Sequence, residues 1–510
     1  MKDKGIKESV NWDDILRRRL QGEVREERKQ IVRHAQGGTA PLAPAQSRLW
    51  ILHQLDPGNP AFNRPMTLRL TGPLNHQTLE KSLNEIVRRH ESLRTVFPEL
   101  NGSPVQGVLA PQGIGLEMVD LEPIPVAERE RQVKRILAAE TEKRFVLSEG
   151  PVIRAMLLRL ERQDHVLLLL MHHIVFDGWS QGIFLRELEL LYDAFSRGKN
   201  APLPELPVQY GDFAIWQEER LAQGLLEKQL SYWKRQLNGV PSLSLATDYP
   251  RPKNLSYRAG KTSLLLAPEI AGSMKELSRR EQATLFMALL AALQVLLSRY
   301  ARAEDVPVGV PVAGRVRAET EKLIGCFMNV LVLRTDLSGE PTFRELVGRV
   351  REVALQAYAN QEVPFEKIVE ELRPERDLHR WPLFQVMLNF RNLPKAQVVE
   401  AGGVRIEPFP FDPGFIGGLD LSVEITELAE GLHCSFSYDS ELFRADTIER
   451  MAGHFRTLVQ SAVANPDQSI AILLLLTEAE RRQLIIDWTN TEGDDRQAKC
   501  AYELFEDQVR

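Results

Sequence analysis

Between His165 and Phe195 the hydrophobic pattern changes its period within a few residues, and that change constrains the fold more than any other feature of the chain. Val166 to Met171 is an unbroken apolar run. A strand that is apolar on both faces must lie inside a sheet, so His165 to Val175 reads as a central strand. From Gly178 to Phe195 the apolar residues Ile183, Phe184, Leu188, Leu191 and Phe195 recur at helical spacing, with Arg186, Glu189 and Asp193 on other faces. A buried strand feeding directly into an amphipathic helix points to a mixed α/β (α+β) fold.

The same two signatures alternate elsewhere. Val152 to Leu160, Val306 to Val312 and Phe384 to Phe390 read as strands; Leu79 to His90, Thr284 to Tyr300, Phe343 to Tyr358 and Thr447 to Ala464 read as helices. A chain of 510 residues exceeds what one hydrophobic core usually organises, so two lobes are expected. The proline-rich stretch Pro202 to Pro207 marks their connection. The expected units are a charged helical extension or docking segment at 1–40, a first lobe at 41–215 and a second at 216–470. At 471–510 a linker and the start of another domain follow.

Composition narrows the function. A net charge of −6 supplies no basic field for nucleic acid. The longest apolar runs are far too short to span a bilayer, and no charged-then-apolar leader opens the sequence. The cysteines Cys326, Cys434 and Cys500 are widely separated and have no metal-ligand spacing, which fits a reducing cytoplasm.

The chemistry concentrates in His172-His173-Ile174-Val175-Phe176-Asp177-Gly178-Trp179-Ser180. Imidazoles at the tip of an apolar strand must find partners or face a cavity. Imidazole is also the side chain best suited to exchange protons near neutral pH. Other readings stand beside the catalytic one. A strand-end histidine can be purely structural. A histidine pair can bind metal, although no third ligand sits at a zincin-type spacing. An Asp before Gly can simply cap the helix.

Further motifs favour one reading. The HHxxxDG pattern is accompanied, in order, by Ala45-Gln46-Ser47-Arg48-Leu49-Trp50, Arg89-His90-Glu91-Ser92-Leu93-Arg94-Thr95-Val96-Phe97 and Tyr210-Gly211-Asp212-Phe213-Ala214-Ile215-Trp216. Then come Ile324-Gly325-Cys326-Phe327-Met328-Asn329, Asn360-Gln361-Glu362-Val363-Pro364-Phe365-Glu366, and Arg376-Asp377 with Pro382-Leu383-Phe384-Gln385-Val386. Over residues 42–470 the chain resembles the condensation domains of nonribosomal peptide synthetases. These belong to the chloramphenicol-acetyltransferase-like superfamily. The departures are mild: Ala43, Val330, His379 and Trp381 replace commoner residues, and none touches the histidine pair.

The resemblance implies two chloramphenicol-acetyltransferase-like lobes forming a V-shaped pseudodimer, with an active-site tunnel between them. It implies a reaction in which the α-amine of an acceptor aminoacyl thioester attacks a donor acyl or peptidyl thioester. His173 is the implied catalytic residue, with His172 and Asp177 in structural roles and Asp177 paired to Arg315. Gly178 is a candidate oxyanion donor from the helix start. Trp179 and Asn329 are expected to line the substrate tunnel, and Tyr210, Asp212 and Trp216 to fix the lobes together. Arg48, Arg94 and Arg334 are expected as structural ion-pair partners, and Cys326 as a packing residue. No metal is expected, and no cofactor on the domain itself.

The implied partners are donor and acceptor peptidyl carrier proteins bearing 4'-phosphopantetheine, and an adjacent adenylation domain suggested by Ala501-Tyr502-Glu503-Leu504-Phe505-Glu506. Neither nucleic acid nor membrane is expected, and the domain is expected to be monomeric. The text from Met171 to Gly182 resembles domains joining an L-configured donor to an L-configured acceptor. A starter domain using a fatty acyl donor and a silent recruitment platform are the alternatives. Epimerization and heterocyclization domains fit the motifs less well.

Overall fold

In the computed structural model, residues 30–34, 38–252, 257–374, 380–391 and 398–487 are described, together with Glu506 and Gln508. The expected helix before residue 30, Arg376, Asp377 and His379, and most of the expected adenylation-domain start lie outside the described residues. Residues 30–34 are not helical. Asp212 accepts from the His34 backbone N–H at 2.8 Å, and Arg33 pairs with Glu91 at 2.8 Å.

The strands are β1 (Asn63–Thr71), β2 (Leu116–Asp120), β3 (Ile153–Glu161), β4 (Asp164–His172), β5 (Ala259–Leu266) and β6 (Asp305–Val312), followed by β7 (Asn329–Asp336), β8 (Val386–Arg391), β9 (Val399–Ala401), β10 (Val404–Pro408), β11 (Leu421–Leu428) and β12 (Gly431–Asp439). They form two six-stranded sheets, ordered β9-β10-β1-β4-β3-β2 and β7-β6-β8-β11-β12-β5. A smaller sheet joins Thr39–Pro41, Thr95–Val96 and Glu99–Leu100 through Ser103–Val108.

In the first lobe β4 lies between β1 and β3, antiparallel to both, and Val166 to Met171 are all buried. The helices of this lobe are α1 (Pro44–Leu55), α2 (His76–Arg89), α3 (Val126–Glu142) and α4 (Gly178–Ser196). α2 packs beside α4, with Leu79, Leu83, Ile86 and Val87 of one and Phe184, Leu188 and Leu191 of the other in the same core. The next helix, α5 (Tyr210–Ala222), follows the proline-rich connection. The second lobe carries α6 (Leu285–Ala301), α7 (Phe343–Ala359), α8 (Phe365–Leu372) and α9 (Ala445–Ala464). α6 is buried on every side from Phe286 to Leu297 and packs against both α7 and α9, as expected of a helix apolar all round.

Three differences from the sequence reading concern the site and the lobe division. The central strand ends at His172 rather than Val175, because the His172 ring accepts the Ile174 N–H and the chain turns into a 3-10 segment at His173–Val175. Residues 399–408 do not stay with the second lobe: β10 pairs antiparallel with β1 and extends the first sheet. Phe409 then exchanges two hydrogen bonds with Thr67, at 2.8 and 3.0 Å. The chain beyond 470 also stays on the second lobe for a further turn. Leu473 is buried there, the Leu474 N–H meets Ser461 Oγ at 3.1 Å, and Glu480 meets His454 at 3.0 Å. Among the described residues no single helix is long and apolar enough to cross a membrane.

Candidate active site

Both histidine rings are almost wholly buried, yet their surroundings differ. His172 sits edge-on to His53 and Phe145, at centroid separations of 5.6 and 6.0 Å, with Phe62 at 6.3 Å. Its Nδ1 accepts from Ile174, so Nε2 carries the proton, and that N–H is enclosed without a hydrogen-bond partner. Burial, with smaller contributions from His53 and Arg64, pushes its pKa down to about 3. This imidazole is neutral at any working pH and serves to shape the turn.

His173 is oriented the other way. Its Nδ1 lies 2.7 Å from the carbonyl oxygen of Phe176. A carbonyl can only accept, so Nδ1 holds the proton and Nε2 presents a lone pair. Nε2 has no partner among the described residues and is not one of the enclosed polar atoms. Burial and the Arg64 charge lower the pKa of His173 well below the ordinary 6.5. The site therefore offers a neutral, orientated hydrogen-bond acceptor rather than an imidazolium. Behind the turn, Gln46 of α1 donates to the Ile174 carbonyl at 3.1 Å.

Asp177 is the N-cap of α4. Its Oδ1 accepts from the backbone N–H and hydroxyl of Ser180 at 2.8 and 2.7 Å. Arg315 of the second lobe approaches the same oxygen at 3.2 Å, with both side chains almost fully buried. Asp177 Oδ2 takes the N–H of Phe327 at 3.0 Å. Arg315 also donates to the carbonyls of Thr320 and Leu323. Burial lowers its pKa from the usual arginine value, and the Asp177 carboxylate opposes that shift.

Asp177 is one part of a larger clasp on the backbone of Ile324–Phe327, the loop that leads into β7. His90 Nδ1 accepts from the Ile324 N–H and Ser92 donates to the Ile324 carbonyl. Ser180, whose single hydroxyl proton goes to Asp177, accepts from the Gly325 N–H at 3.1 Å, and Tyr210 donates to the Cys326 carbonyl at 2.6 Å. His90 can accept on Nδ1 because Glu187, held by Arg89, takes the proton side of its ring at 3.1 Å. First-lobe side chains from three separate motifs thus converge on four consecutive second-lobe residues. Gly325 has to be glycine: a Cβ there would lie 2.1 Å from the Tyr210 ring. The serine and histidine members of this clasp lie inside the sequence motifs, but their role has no signal there, because side chains that bond backbone leave no complementary residue type to find.

Other sequence candidates fall at different places. Gly178 is exposed at the start of α4, with nothing within 4 Å of where a Cβ would sit. Trp179 is half-exposed, and its indole N–H reaches across to the Glu321 carbonyl at 3.1 Å. The Asn329 amide donates to the carbonyls of Gln361 and Val363 and accepts from the Phe365 N–H, so its polar atoms hold the loop before α8. Asp212 caps α5 and binds residues 33–34 rather than the opposite lobe. Arg48, Arg94 and Arg334 pair with Glu366, Glu91 and Asp305. Cys326 is buried and its thiol is pushed up to about 12, which removes it as a nucleophile.

A family model described as Condensation domain matches residues 36–485. Among curated proteins, a linear gramicidin synthase of Brevibacillus parabrevis is 45% identical over 472 residues, which is 92% of this chain and 9% of that protein. Chondramide synthase cmdD of Chondromyces crocatus is 40% identical over 467 residues, 91% of this chain and 12% of that protein. The chain therefore spans only a small part of the length of either relative. The crystal structure of the X-domain from teicoplanin biosynthesis aligns with a TM-score of 0.81 at 29% identity, covering 88% of this chain and all of that one. The first condensation domain of the calcium-dependent antibiotic synthetase, in complex with a substrate analogue, aligns with a TM-score of 0.72 at 23% identity, covering 86% and 99%. That last likeness speaks for the two-lobed chloramphenicol-acetyltransferase-like fold alone. With a family match over most of its length and relatives among the peptide synthetases, the chain belongs to the condensation domains of nonribosomal peptide synthetases.

Proposed function

We propose that the chain forms an amide bond between two carrier-bound groups, with His173 at the point of reaction. The observation that carries this reading is the fixed tautomer of His173, whose Nε2 lone pair is without a partner among the described residues, in a turn whose Asp177 binds the Ile324–Phe327 loop of the other lobe. An acceptor amine donates an N–H to that lone pair and is held with its own lone pair free for attack. As nitrogen bonds to the thioester carbon, the carbonyl electrons move onto oxygen. The C–S bond then breaks, the thiolate leaves with the pair, and the proton released by nitrogen passes through the imidazole to sulfur. An imidazole this hard to protonate is a weak base. Its main work is orientation, and proton uptake becomes favourable only as negative charge grows beside it. The backbone N–H of Gly178, at the positive end of α4, is the candidate to help hold that charge.

The substrates are thioesters on the 4'-phosphopantetheine arms of donor and acceptor peptidyl carrier proteins, and the domain works next to an adenylation domain. Bringing two tethered reactants into one cleft makes the encounter effectively unimolecular. Donor and acceptor are both L-configured in this reading, with Trp179 and Asn329 bordering the substrate path and a fatty acyl donor as the alternative subtype. A second reading comes from a neighbour: an X-domain from teicoplanin biosynthesis, 29% identical with a TM-score of 0.80, is described in complex with OxyB, and a recruiting platform would share this fold.

Carrier proteins loaded with L-aminoacyl donors and acceptors separate the readings. Amide product from the wild-type chain that disappears in His173→Ala, and that drops with a D-configured donor, supports condensation. Absence of product from the wild type across a panel of donors, fatty acyl donors included, supports the platform.

A further inference from the structure

One cation near His173 is unaccounted for. In the β1–β4 pairing Arg64 stands directly opposite Met171. Residues opposite one another share a face. His173 comes two residues beyond Met171, where the chain has already left β4, and the Arg64 charge acts on its ring. Arg64 is exposed, whereas Met66 and Leu68 on the same face of β1 are buried. Among the described residues it makes no hydrogen bond or ion pair. Its guanidinium nevertheless feels burial, which lowers its pKa, and the titratable groups acting on it, Cys326 and Arg391, belong to the second lobe. Exposure and burial hold together only for a side chain deep in the molecule that borders solvent between the lobes. Its cationic neighbour Arg391 is itself paired with Glu424 at 2.9 Å.

A cation with no protein partner depends on water for its solvation, and it loses that solvation when a substrate displaces the water around it. What every thioester substrate brings is a carbonyl oxygen, and the reaction turns that oxygen negative. Resting on the condensation reading above, we propose that Arg64 donates hydrogen bonds to the carbonyl oxygen of the thioester under attack and takes up the charge that develops on it. The amine is then held by His173 Nε2 on one side, and the carbonyl by the Arg64 guanidinium on the other. A planar fork of N–H donors tolerates the movement of that oxygen from trigonal to tetrahedral geometry better than a single donor.

The test is single-turnover amide formation by this chain with loaded carriers, using a neutral thioester donor and the matching dithioester, whose C=S accepts hydrogen bonds poorly. Because Arg64 has no structural partner among the described residues, Arg64→Met should melt where the wild type does. The expected result is a loss of about 10- to 100-fold in the thioester rate at saturating carrier, with carrier affinity unchanged and Arg64→Lys intermediate. The wild-type preference for thioester over dithioester should shrink toward the intrinsic ratio in Arg64→Met. Equal losses on both donors, an effect on carrier affinity alone, or a loss confined to donors with a carboxylate side chain would each overturn the assignment. A wild-type chain that makes no amide at all refutes the condensation reading instead, and an active wild type matched by Arg64→Met refutes this inference alone.

Discussion

At the scale of single residues, the site depends on keeping two adjacent imidazoles uncharged. For His173, the Arg64 and Arg48 charges act in the same direction as burial, and the Phe176 carbonyl opposes them. Both rings are neutral in the folded protein and take up protons near pH 6.5 once unfolded, so the unfolded state binds more protons below that pH. Stability must therefore fall as pH falls from 6.5, and it must be indifferent to these groups above it. His53 and His165 are lowered by burial as well, so the contribution of one ring is best isolated by difference. Between pH 6 and 4 the gap in unfolding free energy between wild type and His172→Phe should change by about 1.4 kcal/mol per pH unit, the wild type losing more on acidification. Urea titrations at several pH values measure it, and parallel curves would contradict the neutral assignment. The histidine-aspartate signature was legible in the sequence because a buried strand cannot end in two imidazoles without consequence. The tautomers were not legible, since each is set by a backbone atom, and neither was the isolation of Arg64, which depends on strand register.

At the scale of elements, the turn from β4 into α4 is held from outside itself. Asp177 caps the helix, binds Arg315 and takes the Phe327 N–H with the same carboxylate. In Asp177→Asn the Ser180 cap can survive, but one face of the amide becomes a donor pointed at an N–H and at a guanidinium. Arg315 is left buried without its counter-charge, which costs about 3–5 kcal/mol. Chemical denaturation should show that loss, with activity falling because the clasp loosens. An unchanged midpoint accompanied by lost turnover would instead assign Asp177 to the chemistry. This strand and this helix are both legible in their periodicity, but the apolar text continues to Val175 where the strand stops at His172. The stop is not legible because His172 supplies its own acceptor for the Ile174 N–H, and hydrophobicity does not record a ring nitrogen.

For the whole molecule, the two lobes are less separable than their sheets suggest. Residues 399–408 leave the second lobe to lengthen the first sheet, and the Ile324–Phe327 loop is gripped by first-lobe side chains. Both arrangements join residues far apart in the chain, which is why neither was visible as a pattern: β9 and β10 are short, and the alternation of Val404-Arg405-Ile406-Glu407 marks a strand without saying which sheet it joins. The expected boundary at residue 215 marks a change of lobe along the chain and not a division of stability. Thermal unfolding should accordingly show one cooperative transition, with matching calorimetric and van't Hoff enthalpies. A fragment comprising 41–215 alone should fail to give a sharp melt. Two resolved transitions in the intact chain would contradict this.

The hydrogen bond from His173 to the Phe176 carbonyl carries an evolutionary corollary. In catalytic triads a side chain orients the imidazole, and a single substitution can remove it. Here the orienting group is main chain three residues downstream, present whatever amino acid occupies that position. Sequence drift around the site can alter what enters and how fast it reacts, but it cannot turn the ring around without first rebuilding the bend that holds it.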